Sequence, residues 1–321
     1  MCTALSFHGF FGRNLDLDKS YKEEVCVAGR HFPFLFRQMG KYDRHYAIIG
    51  MATVAEGTPL YYDAVNEHGV AMAGLHFPHN AHYSAASQGK NNIAPFELIP
   101  WVLCQCKNLV EVKALLQNIH LADIPFSPDF PQTPLHWMIA TKEGDLVVEA
   151  TANGVGIFKN TVGVLTNNPP FGDQMAYLEQ YKNLQSQSPL SAKNLSPDPR
   201  FSSLGLGALG LPGDFSSLSR FVRGAFVRRF ATAEGEQTKA TEQFFHLLSS
   251  VAVPKGCVET YDGKSHYTLY SSAMDLAHGI YYYSTYFHRS ITAVFLHHTD
   301  IDTPSLHRFA LQTEDRIYHQ N

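Results

Sequence analysis

Cys2 has the side chain in this sequence that is best suited to chemistry. Because it is a small residue directly after the initiator Met1, we expect the methionine to be removed, which leaves a thiol and a free α-amino group on one Cα. An N-terminal residue of this kind holds a nucleophile and its own base. The reference pKa of an α-amino group is about 7.7 to 8.0, so the base functions near neutral pH. The alternative is that Cys2 is only a small residue at an irregular start.

A charged cluster follows closely, in the segment Phe11-Gly12-Arg13-Asn14-Leu15-Asp16. A hairpin between this segment and the N-terminus brings it beside Cys2. The positive charge of Arg13 then lowers the thiol pKa, and Asp16 can orient the α-amino group. The alternative is an ordinary surface loop.

Two later segments contain polar side chains that suit an amide-cleaving site. Asn167 and Asn168 follow a predicted strand that ends at Pro169, and an asparagine N–H there can stabilise an oxyanion. Residues 212–221 predict a turn, an N-cap and a helix that carries Arg220 and Arg223. The alternatives are simple turn chemistry for the asparagines and solvated helix positions for the arginines.

The elements that position these residues follow from hydrophobic periodicity and turn signals. Strands are predicted at 4–7, 46–54, 59–63, 70–77, 135–140, 145–150, 154–158, 162–166, 266–274, 279–286 and 291–297. Two helices are predicted within 95–120, and further helices at 173–184, 216–231 and 239–252. A Ser-, Pro- and Gly-rich stretch at 186–213 predicts a long loop, and the tail beyond Thr303 predicts an extended or irregular arm.

This order of strands, helices, strands, helices and strands predicts an α+β fold. Two stacked antiparallel sheets, each covered by helices on its outer face, give a four-layer αββα sandwich. The sequence has no internal repeat, and the composition does not change across the 186–213 loop. Residues 1–321 are therefore predicted to form a single domain.

The composition excludes several functional classes. A net charge of −4 without long runs of like charge argues against nucleic acid and anionic membranes as partners. No signal peptide or membrane-spanning segment is predicted. Five cysteines without framework spacing favour a reducing cytoplasm. The seventeen histidines lack metal-ligand spacing, and no phosphate-binding loop is present, so we predict no metal and no cofactor.

Several motifs, taken together, resemble the choloylglycine hydrolase family, which contains the conjugated bile salt hydrolases and the penicillin V acylases. They are Met1-Cys2-Thr3-Ala4, Phe11 to Asp16, Pro59 to Ala64, Asn66-Glu67-x-Gly69, Ala73-Gly74-Leu75, Leu135-His136-Trp137, Leu165 to Pro169 and Leu211 to Asp214. They occur in the family's order from residue 1 to about 297. The sequences of residues 211–214 and 279–283 resemble those of the bile salt hydrolase branch.

The resemblance implies an N-terminal-nucleophile fold and amide hydrolysis. It implies that Cys2 is the nucleophile, flanked by Arg13 and Asp16, that Asn167 is the oxyanion donor with Asn168 as the fallback, and that Arg220 is a distal active-site arginine. After Ala73-Gly74-Leu75 this chain has His76, where bile salt hydrolases usually have Asn and penicillin acylases often have Tyr. The backbone N–H of a histidine can still serve the oxyanion, while its imidazole can alter substrate choice and pH optimum.

The predicted function is hydrolysis of glycine- or taurine-conjugated bile salts, without a cofactor, in the cytoplasm. The family further implies a homotetramer. Apolar side chains in the loops around Phe10, Phe77 and Phe126 to Phe130 are expected to form a floor for a sterol. One alternative is a penicillin V acylase or another N-acyl amide hydrolase, and another is a non-catalytic binding protein that keeps the fold.

Overall fold

A computed structural model describes residues 1–188, 203–233, 236–314, 317 and 319–321. Its strands are β1 (Cys2–Phe7), β2 (Phe10–Leu17), β3 (Glu24–Ala28), β4 (Phe34–Phe36), β5 (Gly40–Tyr42), β6 (Ile48–Ala55), β7 (Thr58–Asn66), β8 (Ala71–His76), β9 (Asn91–Ile93), β10 (Ile119–Leu121), β11 (Leu135–Thr141), β12 (Gly144–Thr151), β13 (Gly154–Asn160), β14 (Val164–Leu165), β15 (Tyr267–Asp275), β16 (Ile280–Thr285), β17 (Thr292–Phe295) and β18 (Leu306–Ala310). Its α-helices are α1 (Leu98–Leu103), α2 (Leu109–Leu116), α3 (Phe171–Leu178), α4 (Ser217–Phe230) and α5 (Gln237–Ser249).

Two antiparallel sheets form the centre of the molecule. The first has six strands in the order β14-β1-β2-β15-β16-β17, and the second has eight in the order β13-β12-β11-β8-β7-β6-β3-β18. Apolar side chains from both sheets pack between them, including Ala4, Leu15, Ala73 and Met138. Helices α4 and α5 cover the outer face of the six-stranded sheet, and α1 covers that of the eight-stranded sheet. The predicted αββα order is confirmed.

The hairpin β1–β2 begins the six-stranded sheet. His8 and Gly9 connect its strands with positive φ angles of 44° and 83°, which is the backbone of a tight type I′ turn. Gly12 has a different role, since a Cβ at this position would collide with the Ser272 carbonyl of the neighbouring β15. The glycine of the Gly-Arg pair therefore allows β2 to pack into the middle of the sheet.

Most predicted strands and helices are present, and the exceptions have long-range causes. The helical prediction was wrong at Ile119 and His120, which lie in β10 and pair in parallel with β9. The tail contains β18, which pairs with β3 and extends the eight-stranded sheet. Much of the predicted 186–213 loop lies outside the described residues. None of the helices in the described part of the chain is long and apolar enough to span a membrane.

Candidate active site

The hairpin places Cys2 and Arg13 on the same face of the six-stranded sheet. Cys2 is opposite Leu15 and Ala4 is opposite Arg13, so these side chains all point toward the eight-stranded sheet. Asp16 is one residue out of phase with Leu15 and points toward the helices instead. Cys2, Arg13 and Asp16 are all buried. The hairpin thus places Arg13 and Asp16 on opposite sides of the strand beside the candidate nucleophile.

The backbone of Cys2 is held by Asn167 and Arg220. The Cys2 N–H donates to Oδ1 of Asn167 at 2.8 Å, and the Cys2 carbonyl accepts from Nη1 of Arg220. The same Nη1 donates to the Thr3 hydroxyl at 2.6 Å, while Nη2 donates to Oδ1 of Asn167 at 2.8 Å. Arg220 therefore connects Cys2 to Asn167, which lies 165 residues away along the chain.

The orientation of the Asn167 amide follows from its neighbours. Its Oδ1 accepts from two N–H groups, and its Nδ2 donates to the His76 carbonyl at 2.7 Å. A flipped amide would place its NH₂ group against the two N–H donors and its oxygen against the carbonyl, which excludes that orientation. The second Nδ2 hydrogen remains for another acceptor. Asn167 is fixed further because Gln174 donates to its carbonyl at 2.7 Å and its N–H donates to Ser217.

The end of β8 is paired on one side only. Strand β11 pairs with residues 71–76, whereas β7 pairs with residues 71–73. Phe77 donates to the Pro134 carbonyl, so by antiparallel alternation the N–H and C=O of His76 point away from β11. The Asn167 and Arg13 side chains occupy this open side, where Asn167 donates a hydrogen bond to the His76 carbonyl and Arg13 donates one to the Gly74 carbonyl. The His76 N–H therefore points to the same open side of β8 as the His76 carbonyl, which binds Asn167.

Arg13 is a fully buried cation with an incomplete set of hydrogen bonds. Its Nη1 donates to the carbonyls of Gly74 at 2.6 Å and Tyr62 at 3.2 Å, while Nη2 is buried without a partner. Burial lowers its pKa, but the negative groups around it, with Cys2 first among them, outweigh burial and raise the pKa. Arg13 can therefore stabilise a thiolate at Cys2.

Asp16 lies beside the chain terminus. Its Oδ1 accepts from the Thr268 hydroxyl at 2.7 Å, and its Oδ2 is buried without a partner. Met1 pairs with its backbone: the terminal ammonium donates to the Asp16 carbonyl at 2.6 Å and the Asp16 N–H donates to the Met1 carbonyl at 2.9 Å. The free Oδ2 is thus available to an amino group near the start of β1.

Arg220 is enclosed by the structure and binds the backbone of Cys2. It is fully buried on α4, where the Ser216 hydroxyl caps the helix, and its Nε donates to the Phe215 carbonyl. Burial lowers its pKa, opposed by the nearby Asp16 and Cys2. Arg223 is half-buried and binds the carbonyls of residues 212, 214 and 250 instead.

His76 and Asn168 lie beside these groups. Burial first, and then the positive terminus and neighbouring histidines, lower the pKa of His76 to about 4, so its ring is neutral near pH 7. Asn168 donates to the Pro78 carbonyl at 2.8 Å, and its Oδ1 is buried without a partner. The structure brings Asn167, and not Asn168, against Cys2.

Phe10 and Phe77, which mark two of the loops expected to form the sterol floor, are buried. Phe10 is opposite Phe7 at the turn of the hairpin, five residues from Leu15, which is about 17 Å along a strand. Phe77 is fully buried and stacks on His136 with ring centroids 4.2 Å apart. Both side chains therefore pack in the core, and a sterol floor formed by the loops around them stays a prediction.

Sequence reasoning missed a buried carboxylate, Asp63. Its oxygens accept from the hydroxyls of Tyr270 at 2.6 Å, Tyr281 at 2.5 Å and Ser272 at 3.2 Å. Burial raises its pKa, opposed by Arg13 and by these three hydroxyls. The signals in the sequence were an acid within an otherwise apolar strand and the place of Asp63 in the family motif Pro59 to Ala64.

A second missed pair supports the loop that carries Asn167. His136 contacts Glu149 through Nδ1 at 2.9 Å and the Thr166 carbonyl through Nε2 at 2.7 Å. Glu149 also accepts from the N–H of Phe171, the first residue of α3. The two side chains therefore hold both ends of the segment 166–171. Among the described residues, no group of three or more His, Cys, Asp or Glu side chains is arranged to hold a metal ion.

Comparison with known proteins gives consistent results. A family model described as linear amide C–N hydrolases, choloylglycine hydrolase family, matches residues 2–309. The chain is 44% identical to the bile salt hydrolase/transferase of Lactiplantibacillus plantarum over 324 residues, covering 100% of both chains. It matches the crystal structure of a variant of conjugated bile acid hydrolase from Clostridium perfringens with a TM-score of 0.90, 35% identity and 100% coverage of both chains.

A more distant structure shows the same fold. Penicillin V acylase from Agrobacterium tumefaciens superimposes with a TM-score of 0.76 at 17% identity, covering 97% of this chain and 92% of that one. The family model and the full-length relatives establish that the chain belongs to the choloylglycine hydrolase family of linear amide C–N hydrolases.

Proposed function

We propose that this protein hydrolyses the amide bond between a bile acid carboxyl group and glycine or taurine, with Cys2 as the nucleophile. The observation that carries the proposal is the joint placement of Cys2, Asn167 and Arg220, in which one buried arginine binds both the nucleophile's carbonyl and the asparagine oxygen. The names of the full-length relatives support the substrate class.

The reaction begins after removal of Met1. The Cys2 thiol gives its proton to its own α-amino group, and the sulfur attacks the amide carbonyl carbon. The second N–H of Asn167 and the backbone N–H of His76 stabilise the oxyanion of the tetrahedral intermediate. The ammonium then protonates the leaving glycine or taurine nitrogen, and water hydrolyses the thioester to release the bile acid.

The other residues hold this arrangement in place. Arg13 supplies positive charge to the thiolate, and the free Oδ2 of Asp16 accepts from the α-amino group. Arg220 fixes the backbone of Cys2, and Asn168 shapes the adjacent loop beside His76. No step requires a metal or organic cofactor.

A substrate panel tests the proposal. Pure protein is incubated with taurocholate, glycocholate and penicillin V, and the released amino acid or 6-aminopenicillanate is measured. We expect release from the two bile salts, and faster turnover of penicillin V would overturn the substrate class. Loss of bile salt hydrolysis in Cys2→Ser, which keeps the size of the side chain, is the expected result for a thiol nucleophile.

The mass of the intact chain separates an enzyme from a non-catalytic protein that keeps the fold. A chain that retains Met1 has an amide at Cys2 in place of the α-amino group and lacks the proposed base. We expect the mass of a chain that begins at Cys2, and a fully retained Met1 in active protein would contradict the mechanism.

We also propose that the protein is a single-domain homotetramer of the cytoplasm. All five cysteines are free thiols, which suits a reducing compartment. Light scattering coupled to size-exclusion chromatography measures the oligomer directly, and a mass near four times 35.9 kDa is the expected result.

A further inference from the structure

Asp63 lies within a polar cluster that is enclosed between the two sheets. Each sheet has a β-bulge at this point: Tyr62 is the extra residue of β7 opposite β6, and Leu269 is the extra residue of β15 opposite β2. Bulges re-aim the side chains and carbonyls around them. Here the bulge in β7 presents the Tyr62 carbonyl to Arg13, and the residue after it is Asp63.

The six-stranded sheet supplies three hydroxyl donors to this carboxylate. Ser272 is directly opposite Arg13 on β2, and Tyr270 is opposite Leu15, so both point to the same face as Arg13. Burial raises the pKa of Tyr270 and Tyr281 well above the usual tyrosine value, so both phenols are neutral donors. Three donors and a neighbouring guanidinium favour the ionised form of Asp63.

The charges of the cluster balance only when Asp63 is counted. Arg13 and Arg220 are fully buried cations, and Asp16 and Asp63 are fully buried acids. The thiolate and ammonium of an activated Cys2 add one charge of each sign. A buried charge without a counter-charge is costly, so Asp63 offsets the cation that faces the thiolate.

We propose that Asp63 is a positioning residue for the reaction, which acts through Arg13 as the buried counter-charge of its guanidinium and thereby sets the thiolate fraction of Cys2. This proposal rests on Cys2 as the nucleophile of the proposed function. It assigns no substrate contact to Asp63, because the carboxylate is enclosed between the sheets. Arg13 and Arg220 interact electrostatically with Cys2. The other titratable groups around these residues are Asp16, Tyr270, Tyr281 and His76, together with His266 beside the chain terminus.

The sign of the effect distinguishes this role from simple support of the fold. The substitution Asp63→Asn keeps the shape and removes one negative charge near Arg13, so the thiolate becomes more favourable. We expect the pH midpoint of Cys2 alkylation to move down by about one to two units, the size expected for a unit charge about 6–12 Å away at an effective dielectric constant of about 20. The low-pH limb of the kcat/KM profile moves with it.

The experiment measures iodoacetamide labelling of the N-terminal peptide by mass spectrometry between pH 4 and 9. Cys257 is exposed and reports the general reagent rate in the same sample. The matched control is Asp145→Asn, since Asp145 is also buried, accepts from the Ser6 hydroxyl and lies near Arg228, but at the turn end of β1. We expect that control to keep the wild-type midpoint.

A second variant covers the case in which Asp63→Asn does not fold. Tyr281→Phe removes one donor from Asp63 and leaves Arg13 untouched, so the carboxyl group protonates at a higher pH. We expect a smaller downward shift of the same Cys2 midpoint. Unchanged midpoints in the folded variants, with only a lower Tm, would overturn the proposal. The labelling experiment needs no bile salt, so it still tests the role of Asp63 if the protein fails to hydrolyse the bile salts of the substrate panel.

Discussion

Two buried arginines lie on opposite sides of the hairpin that carries Cys2, and they are used differently. Arg220 reaches from α4 and donates to four acceptors: the carbonyls of Phe215 and Cys2, the Thr3 hydroxyl and the Asn167 amide. Arg13 lies between the sheets with one nitrogen unpartnered and with negative groups around it. The hydrogen bonds of Arg220 fit the positioning role in the proposed mechanism. The unpartnered nitrogen and raised pKa of Arg13 fit the proposed electrostatic role.

The largest expected effect comes from Arg220→Lys, because an ammonium keeps the charge but cannot reach four acceptors in a fixed plane. At least two buried oxygens lose their donors, which costs about 2–4 kcal/mol in the free energy of unfolding. Since Cys2 and Asn167 both lose their anchor, we expect kcat to fall by about 10³-fold. Urea unfolding and single-turnover kinetics measure the two effects.

This result would define Arg220 by geometry rather than charge. A variant with wild-type kcat and lowered stability alone would break the comparison, since Arg220 would then hold the fold without positioning the site. Arg223→Lys on the same helix is the matched control. Arg223 also donates to three carbonyl groups, those of residues 212, 214 and 250, and none of these belongs to Cys2.

The next effect separates the two asparagines on the Arg220 side. Asn167→Ala removes an oxyanion donor, and we expect kcat to fall by about 10²- to 10³-fold. Asn168→Ala removes a hydrogen bond to the Pro78 carbonyl, worth about 1 kcal/mol of stability, and we expect less than a tenfold loss of kcat. Steady-state kinetics with the bile salt that the panel selects compares the two variants. Equal losses of kcat would contradict the assignment of the oxyanion donor to Asn167 alone and would reopen the assignment to Asn168.

Arg13→Lys is expected to be milder than the same change at Arg220. A lysine ammonium keeps the positive charge near the thiolate and can still donate to the Gly74 carbonyl. We expect kcat/KM to fall by about tenfold, as expected for loss of about 1.4 kcal/mol of transition-state stabilisation, with little change in the pH midpoint of Cys2 labelling. Arg13→Gln removes the charge and should raise that midpoint. A larger loss in Arg13→Lys than in Arg220→Lys would reverse the comparison.

The sequence predicted the local half of this site better than the remote half. Cys2, Arg13 and Asp16 are close in the chain, and a hairpin was enough to bring them together. Local patterns singled out Asn167 and Arg220 as candidates, but the resemblance assigned their roles, since nothing local indicates that a helix arginine binds a carbonyl 218 residues away. Solvated positions were the natural interpretation, and burial by the surrounding layers changed it.

Polar strands explain most of what was missed. Strand β2 contains Arg13, Asn14 and Asp16 and was interpreted as a charged cluster rather than a strand, yet nearly all of it is buried because both of its faces meet other layers. Strands β3 and β18 pair across about 280 residues, which no local pattern can indicate. Asp63 was included in a strand without a role, because its three donors come from residues 270, 272 and 281.

His76 gives the smallest expected effect and lies where the two arginine regions meet, with its carbonyl on Asn167 and the Gly74 carbonyl on Arg13. Its pKa is about 4 in the folded chain against about 6.5 when unfolded, so between these values the unfolded chain binds more protons. Stability from this residue therefore falls as pH falls through that window. We expect His76→Asn to reduce the loss of Tm between pH 7 and pH 5 by a few degrees, measured by thermal unfolding.

His8→Asn is the control, since that side chain is exposed at the hairpin turn and asparagine accepts its positive φ. If both variants match the wild-type dependence, the pKa of His76 is not lowered in the folded chain, and a charged imidazole must then be added to the groups that act on Cys2 between Arg13 and Arg220.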